Sequence, residues 1–186
     1  VMGDSGDDIN AYTLTTAYDI STASFDSIAL NVSAQETAPY VMLFNNEGTV
    51  LYVLGFNGDD INAYTLSTAY NISTATFDSV VLDVSAQEIF PYSLLFNSDG
   101  TGLYLTGENG SDINVYTLSI PYDISTASFD SIALSVSAQE TAPNAMLFNN
   151  DGTVLYVMGY SDDDINAYTL SIPYDISTAT FDSFVL

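Results

Sequence analysis

The chain has 186 residues and contains no Lys, Arg, His, Cys or Trp; 24 Asp and Glu give it a net charge of -24, while 47% of its residues are hydrophobic. Without basic side chains nothing can neutralise a phosphate backbone, so nucleic acid is excluded as a direct partner, and anionic membrane surfaces are excluded for the same reason. Without His, Cys and Lys, the usual neutral-pH acid/base and two main nucleophiles are missing.

Such acidity with few apolar residues would indicate disorder, but the apolar content here is enough for a core. Two like charges about 10 Å apart in water repel by roughly 0.4 kcal/mol before salt screening, so a salty or cation-rich medium makes the charge tolerable. A basic-free chain also offers no site to trypsin-like proteases. These features point to an extracellular setting, on a cell or virion surface. No apolar run approaches the roughly 18 residues of a membrane span, so membrane insertion is not expected.

The sequence repeats every 52 residues without insertion or deletion: Val1 to Tyr52, Val53 to Tyr104 and Leu105 to Tyr156 are three copies, and Val157 to Leu186 begins a fourth. The acids are spread evenly, at 7, 6, 6 and 5 along these four stretches. A fixed period of this size means a modular array. The chain starts and stops within a repeat, which suggests a segment of a longer array.

In chain order, residues 1–34 read as strands two to four of one blade, followed by fuller blades at 35–86, 87–138 and 139–186. The blade at 87–138 shows the plan. Pro91 precedes Tyr92–Phe96, a strand read as buried on both faces. Asn97-Ser98-Asp99-Gly100 is a turn, with Gly at positive φ. Thr101–Gly107 returns as a second strand, and Glu108–Asp112 is the next turn. Ile113–Leu118 alternates as a third strand, and Pro121–Ser128 is a compact polar loop. Phe129–Val136 is the fourth strand, with Ile132, Leu134 and Val136 on one face and Ser131, Ala133 and Ser135 on the other. Ser137–Ala142 links to the next unit. The expected fold is all-β: tandem four-stranded antiparallel blades, β-propeller-like, as a closed ring or as an open or filamentous array.

Phe96–Tyr104 (FNSDGTGLY), with its counterparts at Phe44–Tyr52 and Phe148–Tyr156, resembles the DGT-x-LYV turn and strand of bacterial propeller repeats. Ile61–Phe77 and Ile113–Phe129 resemble the YTLS-x-P-YDISTASF repeat of bacterial, phage and environmental surface proteins. The resemblance covers nearly the whole chain and implies a propeller or propeller-like array with no fixed enzymatic activity. The chain departs from that pattern in lacking every basic residue and in having fewer than four complete blades.

Several residues recur at positions where chemistry is conceivable. The turns before the third strands carry Asp4, Asp7 and Asp8, then Asp59 and Asp60, then Glu108 and Asp112, then Asp162, Asp163 and Asp164. Clustered carboxylates suit Ca²⁺, a hard cation that takes six to eight oxygens. Asp162–Asp164 are the best candidates, followed by Asp7, Asp8, Asp59 and Asp60, although solvated turns explain the same residues and no cofactor is required. Asn31, Asn71 and Asn109 each open a glycosylation sequon. Tyr12, Tyr64, Tyr116 and Tyr168 read better as packing between blades than as sugar platforms. Asp26, Asp78, Asp130 and Asp182 read better as loop anchors than as the carboxylate pair of a glycosidase. No residue breaks the repeat symmetry as a catalytic site would, so the expectation is a structural segment that self-associates end to end. A ligand- or carbohydrate-binding propeller is the alternative.

Overall fold

The computed structural model describes the chain except for Asp4, Ser5, Asp162, Asp163 and Leu186. It is all-β, with antiparallel sheets whose strands follow chain order. The contacts divide it into two compact units, Val1–Val80 and Val81–Leu186.

In the first unit, β1 (Met2–Gly3), β2 (Asp8–Leu14) and β3 (Ala23–Asn31) form a three-stranded sheet. β4 (Pro39–Phe44), β5 (Val50–Gly55), β6 (Asp60–Leu66) and β7 (Ala75–Asp83) form the second sheet, whose last strand leads into the second unit. There, β8 (Pro91–Phe96), β9 (Gly102–Gly107), β10 (Asp112–Leu118) and β11 (Ala127–Ser135) make one sheet. β12 (Pro143–Phe148), β13 (Val154–Gly159), β14 (Ile165–Leu170) and β15 (Ala179–Val185) make the other.

Local chemistry sets each connection. In the hairpin after β4, the Asn45 carboxamide oxygen accepts from the amides of Thr49 at 2.8 Å and Val50 at 3.0 Å. Asn149 repeats this with Thr153 and Val154. Gly48, Gly100 and Gly152 close these hairpins at φ of 69°, 74° and 68°, a region open to Gly at little cost. The loop read as compact and polar holds one 3₁₀ turn per copy, at Ile20–Thr22, Ile72–Thr74, Ile124–Thr126 and Ile176–Thr178. Asp19, Asn71, Asp123 and Asp175 cap these turns by accepting from the amide two residues on. This is the side-chain-to-backbone bond that Asp and Asn favour.

The fourth strand of the blade departs from plain alternation. Ser27, Ser79 and Ser131 each adopt φ 57°, and the β10–β11 register shifts between Asn114 and Tyr116. One extra residue is accommodated as a bulge. Past it the alternation resumes: Leu134 is half-buried, Ser135 exposed and Val136 fully buried.

Sheets pack face to face within each unit. In the first, Leu51, Val53, Tyr64, Leu66 and Ile72 form the front face of the second sheet. They meet Ile9 and Val32, with Met2, Ala11, Ile28 and Leu30, on the back face of the first sheet. In the second unit, Leu155, Val157, Tyr168, Leu170 and Ile176 meet Tyr104, Ile113, Val115 and Val136 in the same way. Among the described residues, no helix is long and apolar enough to cross a membrane.

Candidate functional site

The described acids around these turns bond mainly to side chains of their own sheets. Asp7 and Asp59, like Ser111 in the third copy, sit at φ of 50°, 48° and 47°. This is the left-handed region that short polar side chains tolerate best. The next acid faces back into its sheet: Asp60, Asp112 and Asp164 accept from the carboxamides of Asn62 at 2.6 Å, Asn114 at 2.8 Å and Asn166 at 2.6 Å. Asp8 accepts instead from Asn31 at 3.0 Å. Burial pushes the Asp112 carboxyl above its ordinary value, against the opposing bond from Asn114. Glu108 is exposed and accepts from the Tyr92 hydroxyl at 3.3 Å. Asp4, Asp162 and Asp163 lie outside the described residues. Among the described residues no three carboxylates are grouped closely enough to hold a metal ion.

The acids that matter most to the core were hidden in the linker. Glu36, Glu88 and Glu140 are buried, at no more than 1% exposure. Their partners are main-chain amides. Glu36 accepts from Ala38 at 2.6 Å, Asn57 at 3.4 Å and Gly58 at 3.3 Å. Glu88 accepts from Phe90 at 2.8 Å and from Asn109 at 3.1 Å. Glu140 accepts from Ala142 at 2.7 Å and Ser161 at 3.2 Å. Burial pushes the Glu88 carboxyl up, and the amides of Phe90 and Asn109 pull it back. Gly55, Gly107 and Gly159 make room: a Cβ there would lie 2.1, 2.5 and 2.1 Å from the respective glutamate carboxyl carbon. The readable signal was an acid recurring after Ser-Ala-Gln, each time 19 residues before a Gly.

The preceding Gln accepts from a tyrosine on the third strand of the blade that follows. Tyr64, Tyr116 and Tyr168 donate to Gln35, Gln87 and Gln139 at 3.1, 2.7 and 3.1 Å. Burial, helped by Asp60, Asp83 and Asp164 respectively, pushes these three hydroxyls up to about 12. The acids at Asp26, Asp78, Asp130 and Asp182 accept from the hydroxyls of Thr13, Thr65, Thr117 and Thr169 across the strand pair.

Two of the three sequons hold their own serine, Asn71 as the cap of a 3₁₀ turn and Asn31 at the end of β3. Asn71 accepts from Ser73 N at 3.1 Å and Oγ at 2.7 Å. Asn31 does the same with Ser33, at 3.2 and 2.6 Å. Asp83 holds Ser85 in this way too, so Asn-x-Ser and Asp-x-Ser are alternative spellings of one turn. Asn109 is exposed, with its amide bound to Glu88.

A third device joins the hairpin to the 3₁₀ loop. Tyr70, Tyr122 and Tyr174 adopt φ near 60° and donate their amides to Gly48, Gly100 and Gly152 at 2.7, 2.8 and 2.8 Å. Their rings lie edge-on to Phe44, Phe96 and Phe148 at centroid distances of 5.3, 5.2 and 5.1 Å. A Cβ on any of the three glycines would come within 2.5 Å of the ring.

The second unit also has a cleft of about 320 Å³ between its two sheets, lined by Asn97, Tyr104, Thr117, Asp130, Tyr174 and Asp175 among others. Tyr104 Oη donates to the Tyr174 carbonyl across it at 2.5 Å. Burial first, then Asp175 and Asp99, push this hydroxyl above its ordinary value.

No protein-family model matches the chain, and no curated protein does. Solved structures do. A protein from Bacteroides fragilis, described as a proposed 6-phosphogluconolactonase, superposes with a TM-score of 0.63 at 15% identity over 97% of this chain and 49% of its own. The periplasmic gluconolactonase of Pseudomonas aeruginosa gives 0.55 at 13% identity, over 80% and 38%. The β-propeller domain of Cps50 (Swd1) from Myceliophteria thermophila gives 0.55 at 11% identity, over 77% and 41%. The chain thus spans about half or less of the length of each. At these identities the likeness shows the fold: the sheets are β-propeller-like.

Proposed function

We propose that the chain is a non-catalytic structural repeat segment of an acidic extracellular surface protein, and that it associates with itself end to end. The observation that carries this reading is the sameness of the polar chemistry in successive copies. Glu36, Glu88 and Glu140 hold main-chain amides, and Asp26, Asp78, Asp130 and Asp182 hold a strand threonine. Among the described residues the recurrent acids are thus tied into the scaffold, and none stands out in one copy as a reacting group would. A stack of units in which each packs on its neighbour extends readily. Ca²⁺ at the acidic turns and glycans at Asn31, Asn71 and Asn109 fit this surface setting as accessories.

Electron microscopy with image averaging, in calcium and then in chelator, tests the reading. Regular filaments are the expected result, and their dissolution by chelator would place the acidic turns at the contacts. Discrete closed rings would support the second reading, a ligand- or carbohydrate-binding propeller. That alternative draws on the cleft beside Tyr104 and Asp130 and on the gluconolactonase names of two similar structures. Sugar binding that disappears in chelator would make the chain a calcium-dependent adhesin.

A further inference from the structure

We propose that the Asn109-Gly110 turn is a self-modifying site, where the Gly110 nitrogen attacks the Asn109 carboxamide and the buried Glu88 carboxylate takes the proton. The site is independent of self-association. The chain has two Asn-Gly pairs, Asn57-Gly58 and Asn109-Gly110. In any Asn the side-chain carbonyl carbon lies within reach of the next main-chain nitrogen, and a following Gly has no side chain to shield that nitrogen. The reaction also needs a loosely held carboxamide and a group to accept the amide proton.

Both turns supply the acceptor. Gly58 N donates to Glu36 at 3.3 Å, and Gly110 N donates to Glu88. These glutamates are 1% and 0% exposed, so little water competes for the proton. The backbones match as well: the next residues, Asp59 and Ser111, lie at φ 48° and 47°. The carboxamides differ. Asn57 Nδ2 donates to Thr37 Oγ1 at 2.9 Å, which anchors it. Ile89 stands in the place of Thr37 and offers no hydroxyl. Asn109 is exposed, while its own amide, 3.1 Å from Glu88, holds the residue over the carboxylate. Asn45, Asn97 and Asn149 precede larger residues, and their carboxamides are bound in the hairpins.

The Gly110 nitrogen forms a bond to Asn109 Cγ as its proton passes to Glu88, a carboxylate placed as a general base. The Cγ–Nδ2 bond then breaks, and Nδ2 leaves as ammonia with the proton that Glu88 returns. Water opens the resulting cyclic imide at either carbonyl, leaving aspartate or isoaspartate at position 109. Conversion removes the nitrogen that a glycan would occupy and adds one negative charge.

Peptide mass spectrometry of the folded chain over time at neutral pH, after cleavage at Asp and Glu, tests the site, with isoaspartyl methyltransferase labelling to count isoaspartate. Asn109 should convert about fivefold faster than Asn57, the rate equivalent of one anchoring hydrogen bond of about 1 kcal/mol. Ile89→Thr should bring Asn109 down to the Asn57 rate, and Thr37→Ile should bring Asn57 up to the Asn109 rate. Both substituted side chains are exposed, and circular dichroism checks that the sheets remain. In urea the two sites should react at equal rates, because the difference belongs to the fold. Glu88→Gln, read under conditions where its sheets are intact, should slow Asn109 by roughly tenfold or more. Equal native rates at Asn57 and Asn109, a rate difference that persists in urea, or rates that ignore the exchanges at Ile89 and Thr37, would overturn the site. A folded Glu88→Gln chain that converts at the wild-type rate would overturn the part given to the glutamate.

Discussion

Tyr18 and Tyr122 stand at the same place in two copies of the repeat, and their surroundings differ almost completely. Tyr122 lies against Gly100 and edge-on to Phe96. Tyr18 is 98% exposed. Yet their φ angles are 63° and 62°, and each is followed by an Asp that caps the same 3₁₀ turn. The left-handed tyrosine is thus set by the local chain, with the ring contact added afterwards. Tyr12 and Tyr64 repeat the contrast at the sheet face: both sit edge-on or tilted to a Phe of the next strand, at 5.4 Å, but only Tyr64 is covered by a neighbouring sheet. Secondary structure in this protein is written within one blade, and stability is written between blades.

Substitutions at matched positions sharpen that division. The largest contrast is expected at the sheet face: Tyr64→Ala should cost about 3–5 kcal/mol as a buried aromatic truncation. Tyr12→Ala should change stability by no more than about 0.5 kcal/mol, as surface changes do. Urea midpoints measure both, and equal losses would break the comparison. Next comes Glu88→Gln, which trades one accepting oxygen for a donor facing main-chain amides and should cost about 1–3 kcal/mol at neutral pH. The pH dependence has a definite sign. The Glu88 carboxyl is raised above 4.5 in the fold, so its contribution is full below about pH 4.5 and is lost as pH rises through the folded value. The Gln variant should lack that component of the slope.

A smaller effect is expected at the hairpin clip. Tyr122→Ala loses an edge-on ring contact and a long hydroxyl bond to the Ser98 carbonyl, together about 1–2 kcal/mol, and Tyr18→Ala should change the urea midpoint by less than the error of its measurement. The mildest test leaves the sequence alone. Tyr64, Tyr116 and Tyr168 have hydroxyls raised from 10 to about 12. Their contribution is present below pH 10 and is lost as pH rises through about 12. Thermal melts from pH 9 to 12, followed alongside tyrosinate absorbance, should show ionisation of the buried rings coinciding with unfolding.

Much of this architecture was legible because its signals are short-range. Asn97 to Gly100 announced a hairpin, and the strands fell within a residue or two of the apolar runs. The buried glutamates were not legible because composition presents every acid as surface charge. The amides that make burial tolerable come from Ala38, Phe90 and Ala142 two residues on and, invisibly to the sequence, from the three-dimensional return of the chain at Asn57, Asn109 and Ser161. The bulge at Ser131 was masked by the clean alternation from Ile132 onward. The left-handed Tyr122 was hidden because a bulky aromatic is an unusual occupant of that region. For the candidate sites, sequence placed Asp60, Asp112 and Asp164 in turns, whereas Asp60 and Asp112 open β6 and β10. It was silent on their inward bonds to Asn62, Asn114 and Asn166, which depend on how the turn folds back over its strand.

The cap shared by Asn71 and its counterparts has a consequence for how the repeats change over time. Asp19, Asp123 and Asp175 sit in Asp-Ile-Ser turns, and Asp83 sits in an Asp-Val-Ser turn. A single base change turns an Asp codon into an Asn codon, and the oxygen that accepts from the serine remains in place. Each such mutation writes a new sequon onto an unchanged backbone and removes one negative charge. Such steps vary the sequon pattern and the charge blade by blade while keeping the oxygen that holds the turn.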